Sequence, residues 1–475
     1  MCLPPRLRLL RPRLSLPWAV PSPALPPWSP HDRSHPPVHP HPDPDTSHRP
    51  AAPDPLADYV RDRLPGRLRA LHSGTIPYTV LLDEQAALLD EITPRLLAES
   101  ESESESGAGA GAGDDPHGPA AHQLDLLFLL GGHTPYTPPG RAPAAVPGRL
   151  LALIHEQARR HPALDTDLSY ELLIDLNCRL YEAGHGIRVF SDGPDARHER
   201  DFYLGHHRAE PHVRAAADLL RSLALDPSPE HAPAVLAEAT RRLADFRAHM
   251  TRYRRLPTRS FAYFRRHLHG YAGRGGSASG SFMPGVQLLE LALLRPGPAY
   301  ERFLDEALPR FPYPSRSVIT VWRESSRNGV NVADRVAAGQ LGPAARRALL
   351  LLLDQFIGFR RAHLGIARRQ LPDAFVPPPA SPPALPPALS SGSGHPAGDP
   401  TDPTVGTGGY TITSFLDASV RRLLDLRRVL LDVPPHMAVR PLPTSERSRY
   451  GAGRGGRTGT DEGRSGTGPG VRGRA

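Results

Sequence analysis

Apolar side chains recur every three or four residues through most of the middle of the chain, a spacing that places them on one face of an α-helix. The stretches with this spacing are 147–164, 168–184, 211–225, 232–256, 283–294, 342–371 and 413–432. One short segment, SRSVITVW at 315–322, is rich in β-branched residues and predicts a strand instead. No alternation of strands and helices follows it, so the predicted fold class is all-α: a helical bundle with a small N-terminal helical annex.

Composition divides the chain around these predicted helices. The 57 prolines and 43 glycines of its 475 residues are concentrated in segments that cannot bury enough apolar surface to offset the entropy of ordering them. The predicted organisation is a disordered Pro/Arg-rich N-terminus (1–55), a small helical region (56–100), a low-complexity linker (101–119), a main domain (120–435) with a mobile Pro-rich loop (376–403), and a disordered Gly/Arg-rich tail (436–475).

Charge and cysteine content narrow the functional classes. The net charge is +8, but most of it comes from the arginines of the two terminal segments, so it argues against a nucleic-acid surface on the main domain. The two cysteines, Cys2 and Cys178, exclude a disulfide framework and a cysteine-based metal site. No apolar run is long enough to cross a membrane, and we expect a cytoplasmic protein with no membrane partner.

The most apolar predicted helix carries a histidine on its apolar face. In FRRAHLGIARRQL (359–371), His363 continues a stripe formed by Leu352, Phe356 and Phe359. One interpretation is a core histidine that is hydrogen-bonded to a carbonyl, and the other is a haem ligand, because haem needs such an apolar wall. A second histidine one turn away is missing, which disfavours a zinc site of the helical two-histidine kind.

Two further segments combine aromatic, small and charged residues. In SFAYFRRHLHGY (260–271), helical spacing brings Phe261, Phe264 and Leu268 to one face, with Arg265 beside them. A guanidinium at the edge of an aromatic patch can pair with a carboxylate through two hydrogen bonds, or it can simply lie on the surface. The GGSASGS segment that follows has side chains small enough for a flat ligand to approach the backbone, and it could equally be an ordinary loop.

A glycine-rich segment precedes the last predicted helix. VGTGGYTITSFL (405–416) places the Thr407 hydroxyl among glycines that leave backbone amides open to a polar group. A phosphate-binding loop is the obvious alternative. It is disfavoured because the segment lacks the GK[ST] ending and a preceding strand.

Taken in order, these segments resemble the haem dioxygenase superfamily of indoleamine and tryptophan 2,3-dioxygenases, including its branch similar to monodechloroaminopyrrolnitrin synthase. The resemblance rests on FAYFRRHLHGY followed by GGSA, then FR–x–x–H–L on a long helix, then GTGG before a helix, and it covers about 260–435. It implies a helical bundle that encloses a b-type haem.

The resemblance also implies roles for individual residues. His363 would be the proximal ligand of the haem iron. The other residues that it places at the haem are Gly276, Ser277, Ala278, Phe359 and Arg360.

For the substrate, the resemblance implies that Arg265 binds the carboxylate of an amino acid, and that Thr407 with the Gly408 amide holds its ammonium and carboxylate end. Arg265 and Thr407 would thereby be the catalytic residues. Those implied near the substrate or behind its pocket are Phe261, Tyr271, Ser277 and Ala278.

Two positions depart from the family. Ser260 stands where the indoleamine enzymes have an aromatic residue before Phe261. The distal serine or histidine of the family has three candidate counterparts here, Tyr203, His206 and His207.

Three functions follow from these observations. The first is haem-dependent dioxygenation of L-tryptophan or a related indole with O2, to a product of the N-formylkynurenine type. The second is haem-dependent aromatic hydroxylation or indole-ring rearrangement in secondary metabolism. The third is a non-enzymatic helical binding protein, from which a haem absorption band would be missing.

Overall fold

The computed structural model describes residues 54–105, 118–137, 145–271, 278, 280–370 and 412–431. These residues belong to one compact unit, Pro53–Ala475. Most of them are helical and no strand occurs among them, which confirms the all-α fold class. None of the described helices combines the length and the apolar character that crossing a membrane requires.

The helices are named here in chain order. The α-helices are α1 (Pro55–Asp58), α2 (Leu64–His72), α3 (Tyr78–Glu105), α4 (Pro119–His133), α5 (Ala145–Arg160), α6 (Asn177–Glu182), α7 (Pro194–Leu225), α8 (Ala232–Thr251), α9 (Thr258–Arg265), α10 (Pro284–Leu293), α11 (Pro298–Ala307), α12 (Tyr313–Arg327), α13 (Val332–Ala337), α14 (Gly342–Gln370) and α15 (Ile412–Leu430). Single π-helical turns lie at Tyr59–Arg63 and Glu171–Leu176. Short 3₁₀ turns lie at Thr134–Tyr136, Arg252–Arg255, Arg266–Leu268, Gly280–Phe282 and Leu308–Arg310.

The predicted strand at 315–322 is wrong, because this segment lies inside α12. Its β-branched residues favour a strand only weakly, and tertiary packing overrides that preference. The buried positions of α12 are Ile319, Arg323 and Ser326, which follow helical spacing, and the helix packs against α10. A proline in its first turn is compatible with a helix start.

The largest core lies between α7, α8 and α14. Helix α8 packs against both of the others, α10 packs against α7, and α15 packs against α14. Apolar side chains such as Leu220, Phe246 and Phe356 are completely buried between them. The contact between α7 and α10 is close: a Cβ atom on Gly285 would lie only 2.7 Å from Cγ1 of Val213. A larger residue there would force the two helices apart.

The N-terminal helices have their own buried polar contacts. Helices α3 and α4 both pack against α5. Arg188 and Asp125 form a buried two-point ion pair, with distances of 2.8 and 3.1 Å. His133 is completely buried and bonded on both ring nitrogens, Nδ1 lying 2.6 Å from the Tyr78 hydroxyl and Nε2 lying 2.7 Å from Oε1 of Gln85. Helix α3 runs on to Glu105, within the segment expected to be a linker.

Candidate functional site

His363 lies on α14, one helical turn after Phe359. The two rings are 5.7 Å apart, and Phe356 stacks on Phe359 at 6.1 Å, so the apolar stripe expected from the sequence is present. Part of the imidazole surface remains accessible, yet burial lowers the pKa of His363 to about 4, with smaller contributions from the charges of Arg360 and His206. The space beside this partly accessible ring is here called the recess.

The hydrogen bonding of His363 departs from that of a core histidine. Its Nδ1 atom is buried and has no hydrogen-bond partner. Buried polar atoms in folded proteins are almost always paired, and an exception calls for an explanation. A neutral imidazole with no protein partner in an apolar recess is chemically suited to donate a lone pair to a metal ion.

His206 approaches the same recess from α7. It is buried, and it is near enough that its charge is among the causes that lower the pKa of His363. Burial also lowers the pKa of His206 itself to about 4. Its ring stacks on Tyr253 at 4.8 Å.

The hydrogen bonds of His206 fix its tautomer. Nδ1 lies 3.0 Å from the Phe202 carbonyl oxygen and 2.7 Å from the Tyr253 hydroxyl, which itself donates to that carbonyl at 3.0 Å. A carbonyl oxygen only accepts, so the proton of the neutral ring lies on Nδ1. Nε2 is then an unprotonated acceptor. It points toward Gly280, where an added Cβ would lie 3.6 Å away.

Aromatic rings surround His206. Phe202 lies 4.4 Å from the His206 ring and 5.8 Å from the ring of Phe261 on α9, which in turn contacts Phe264 at 5.4 Å. The Tyr170 ring closes another side at 6.2 Å from His206. These rings form an apolar wall around His206.

Arg265 ends α9, one turn after Phe261, and α9 contacts both α7 and α14. Burial lowers the pKa of Arg265 to about 10, which still leaves the guanidinium protonated at neutral pH. The neighbouring His269 is kept neutral: burial, followed by the charge of Arg265, lowers its pKa to about 3. A partly desolvated guanidinium pairs with a carboxylate more strongly than one in water.

The other predicted site residues fall into two groups. Ala278 is described and buried. Tyr271 is also buried, and with Leu127 and His267 it lines a small pocket. The predictions that fall outside the described residues are Gly276, Ser277, Thr407 and Gly408.

Arg360 forms a buried ion pair that was not predicted from the sequence. Its guanidinium pairs with the Glu290 carboxylate of α10, and both side chains are almost completely buried. The guanidinium also lies over the rings of Phe356 and Phe359, at 5.2 and 5.6 Å. A lone glutamate inside the apolar run VQLLELALL was the available signal, because a buried charge needs a partner.

The three candidates for the distal position differ clearly. Tyr203 is completely buried, and its hydroxyl donates to Glu199 at 2.5 Å. His207 lies on another face of α7, where its two nitrogens are 3.5 and 3.6 Å from the carboxylates of Asp175 and Glu182. Among the three, His206 is the one that interacts with His363.

The residues around His363 fit a haem in three respects: an accessible imidazole whose buried Nδ1 has no protein partner, a second histidine in the same neighbourhood, and aromatic side chains around that second histidine. Within the described residues, no group of three or more His, Cys, Asp or Glu side chains is arranged to hold a metal ion. No known protein family and no curated protein matches this chain in sequence comparisons.

Proposed function

We propose that this protein is a haem-dependent dioxygenase that acts on tryptophan or a related indole amino acid. The observation that carries the proposal is the state of His363, a neutral imidazole in an apolar recess whose buried Nδ1 has no protein partner and which interacts with His206. The resemblance to the indoleamine and tryptophan 2,3-dioxygenases supports the same assignment. Haem b, held by His363 and walled by Phe359, would supply the iron centre that activates O2.

The substrate carboxylate is bound by Arg265 in this proposal. Its guanidinium is charged and partly removed from water, and it lies one turn from Phe261 on the wall of the recess. A two-point ion pair here fixes the amino-acid end of the substrate and therefore its orientation. The resemblance adds Thr407 and Gly408 as partners of the ammonium and carboxylate end.

His206 orients the other end of the substrate. Its Nε2 is an unprotonated acceptor that points toward Gly280. An indole N–H is a matching donor, and a histidine already fixed by Tyr253 and the Phe202 carbonyl loses little freedom when it accepts that bond. The aromatic wall formed by Phe202, Phe261 and Phe264 keeps the ring in a dry environment.

A product analysis with isotopically labelled O2 tests this proposal. The protein is loaded with haem, reduced, and incubated with L-tryptophan and the labelled gas. We expect a product that contains both labelled oxygen atoms and an opened indole ring. If the haem-loaded protein binds L-tryptophan but returns it unchanged, dioxygenation is wrong.

Aromatic hydroxylation is the second candidate, and one observation favours it. Glu210 lies one turn after His206 on α7, and its Oε1 accepts the Gly285 amide at 2.7 Å while the buried Oε2 has no partner. Burial raises the pKa of Glu210 to about 7, so a large fraction of it is protonated near neutral pH. Hydroxylation places one oxygen atom of O2 in the substrate and reduces the other to water, which takes two electrons from an external reductant and two protons that such a carboxyl group can relay. A product with a single labelled oxygen atom would support this alternative.

A further inference from the structure

The carboxylate of Glu290 on α10 interacts with side chains from two other helices, α14 and α15, which pack against each other. Arg360 of α14 pairs with Oε1, the Ser419 hydroxyl of α15 donates to the same oxygen at 2.9 Å, and Arg422 of α15 lies 3.5 Å from Oε2. We infer that these residues, here called the Glu290 cluster (Glu290, Arg360, Ser419 and Arg422), position α14 so that His363 points into the recess. The inference rests on the proposed function, in which His363 binds the haem iron.

The cluster is buried and charged. Glu290, Arg360 and Ser419 are 2, 3 and 6% exposed, so water does not screen their interactions. Burial alone would raise the pKa of Glu290, but the charges of Arg360 and Arg422 outweigh it, and the pKa is lowered. The group is therefore an anion at neutral pH. Buried ion pairs contribute little net stability, and fixing one arrangement of the chain is the role for which there is most support.

His363 depends on its helix for orientation. Metal-binding histidines are usually held by a hydrogen bond from the second ring nitrogen, whereas Nδ1 of His363 has no partner. The direction of the ring must then come from the position of α14 and from packing against Phe359. Arg360 lies three residues before His363, almost one turn, so a rotation or shift of the helix at His363 would break the Arg360–Glu290 pair.

The same helix α10 also holds the backbone near His206. Gln287, one turn before Glu290, donates to the Ser281 carbonyl at 2.8 Å and accepts from the Tyr300 hydroxyl at 2.5 Å. Arg422 lies 4.8 Å over the Tyr300 ring, which connects this contact to the Glu290 cluster. One side of α10 therefore contacts both the 3₁₀ turn Gly280–Phe282 and the helix of His363.

The chain offers a matched control for this inference. Arg427 of α15 pairs with Asp354 of α14 at 2.7 Å, so it joins the same two helices, but both side chains are well exposed. Exposed pairs of this kind contribute little. An Arg427→Gln variant therefore changes α14–α15 contact without touching the Glu290 cluster.

The experiment compares wild type with Ser419→Ala, Ser419→Thr and Arg427→Gln. The first readout is the iron–histidine stretching band of the reduced, haem-loaded proteins in resonance Raman spectra. The second is amide hydrogen exchange of α14 in the same proteins without haem. We expect Ser419→Ala to shift or broaden the band and to speed exchange around Arg360 about tenfold, as loss of one buried hydrogen bond implies. Ser419→Thr, which keeps the hydroxyl, should restore both.

Two results overturn the inference. An unchanged band and unchanged exchange in Ser419→Ala would show that the cluster does not position His363. An equal response in Arg427→Gln would show that any contact between α14 and α15 has the same effect. A wild-type protein that takes up no haem contradicts the proposed function instead, and hydrogen exchange in the haem-free proteins then still decides whether the cluster holds α14.

Discussion

His133 and His363 are two histidines with the same lowered pKa and opposite surroundings. Burial lowers the pKa of each to about 4. His133, in the N-terminal helices, bonds to the Tyr78 hydroxyl and to the Gln85 amide oxygen, and it is completely buried. His363 has a buried Nδ1 without a partner and a ring that stays partly accessible.

The difference shows that a perturbed pKa alone does not identify a functional histidine. Both values report mainly that water has been removed from around the ring. What separates the two residues is whether the protein itself satisfies the nitrogen atoms. Both ring nitrogens of His133 have protein hydrogen-bond partners, as a structural role requires. Nδ1 of His363 has no such partner, which is the reason for proposing His363 as the ligand of the haem iron.

Replacing His363 with alanine should have the largest effect. In the proposed assignment His363 binds the haem iron, so its loss should weaken haem binding by at least about a hundredfold, because loss of a supporting residue around a metal site alone costs ten- to a hundredfold. The fold should persist, since no hydrogen bond of His363 is lost. Haem titration and circular dichroism measure the two effects. If His363→Ala binds haem with wild-type affinity, His363 is not the iron ligand, and the proposed functional difference between His363 and His133 is wrong.

Replacing Arg265 with alanine tests the proposed binding site of the substrate carboxylate. We expect the dissociation constant for L-tryptophan to rise about a hundredfold, because a charge-assisted two-point pair contributes roughly 3 kcal/mol. Haem content should not change. Arg265→Lys is the control, because it keeps the positive charge but loses the planar guanidinium that donates two parallel hydrogen bonds to a carboxylate. Equal binding by wild type and Arg265→Ala would place the carboxylate elsewhere.

The His133→Ala variant tests the other half of the comparison. It leaves the Tyr78 hydroxyl and the Gln85 amide without their buried partner, which should lower the free energy of unfolding by about 2 kcal/mol. Haem affinity should be unchanged. Urea unfolding followed by circular dichroism gives the first value, and haem titration gives the second. Haem loss without loss of stability would reverse the roles assigned to the two residues.

Without haem, the two histidines should respond to acid in the same way. Each has a folded-state pKa below the value of 6.5 expected when unfolded. The unfolded chain therefore binds more protons between about pH 6.5 and about pH 4, and stability falls as the pH falls through that range. Each should contribute a loss of roughly 1 kcal/mol between about pH 6 and about pH 5. Unfolding curves of His133→Gln and His363→Gln, each with a smaller pH slope than wild type, would confirm equal contributions.

His206 allows a finer test of specificity. An indole methylated at its ring nitrogen cannot donate to Nε2 of His206, and we expect it to bind about tenfold more weakly than L-tryptophan. His206→Ala should abolish that preference. A methylated substrate that binds as well as L-tryptophan would mean that Nε2 does not face the indole nitrogen.

Much of the fold could be predicted from the sequence, because helical periodicity is a local signal. The stripe through Phe356, Phe359 and His363 lies on one side of α14 as expected. The strand expected at 315–322 is wrong because the β-branched run masked a helical spacing of buried residues in α12.

The arrangement around His363 was less predictable, because it depends on contacts between distant parts of the chain. His206 is one of two adjacent histidines on a mostly polar helix, and the sequence could not show which one faces inward. Tyr253 lies in the basic run RYRR and gives no sign that its hydroxyl meets a histidine. Whether His363 has a hydrogen-bond partner is a property of the folded protein alone.

The absorption spectrum of the purified wild-type protein, titrated with haem and reduced, tests the central claim most directly. We expect a Soret band that saturates at one haem per chain, shifts when L-tryptophan is added, and is absent from His363→Ala but present in His133→Ala. A wild-type chain that develops no such band, or a His363→Ala variant with an unchanged band, would contradict it.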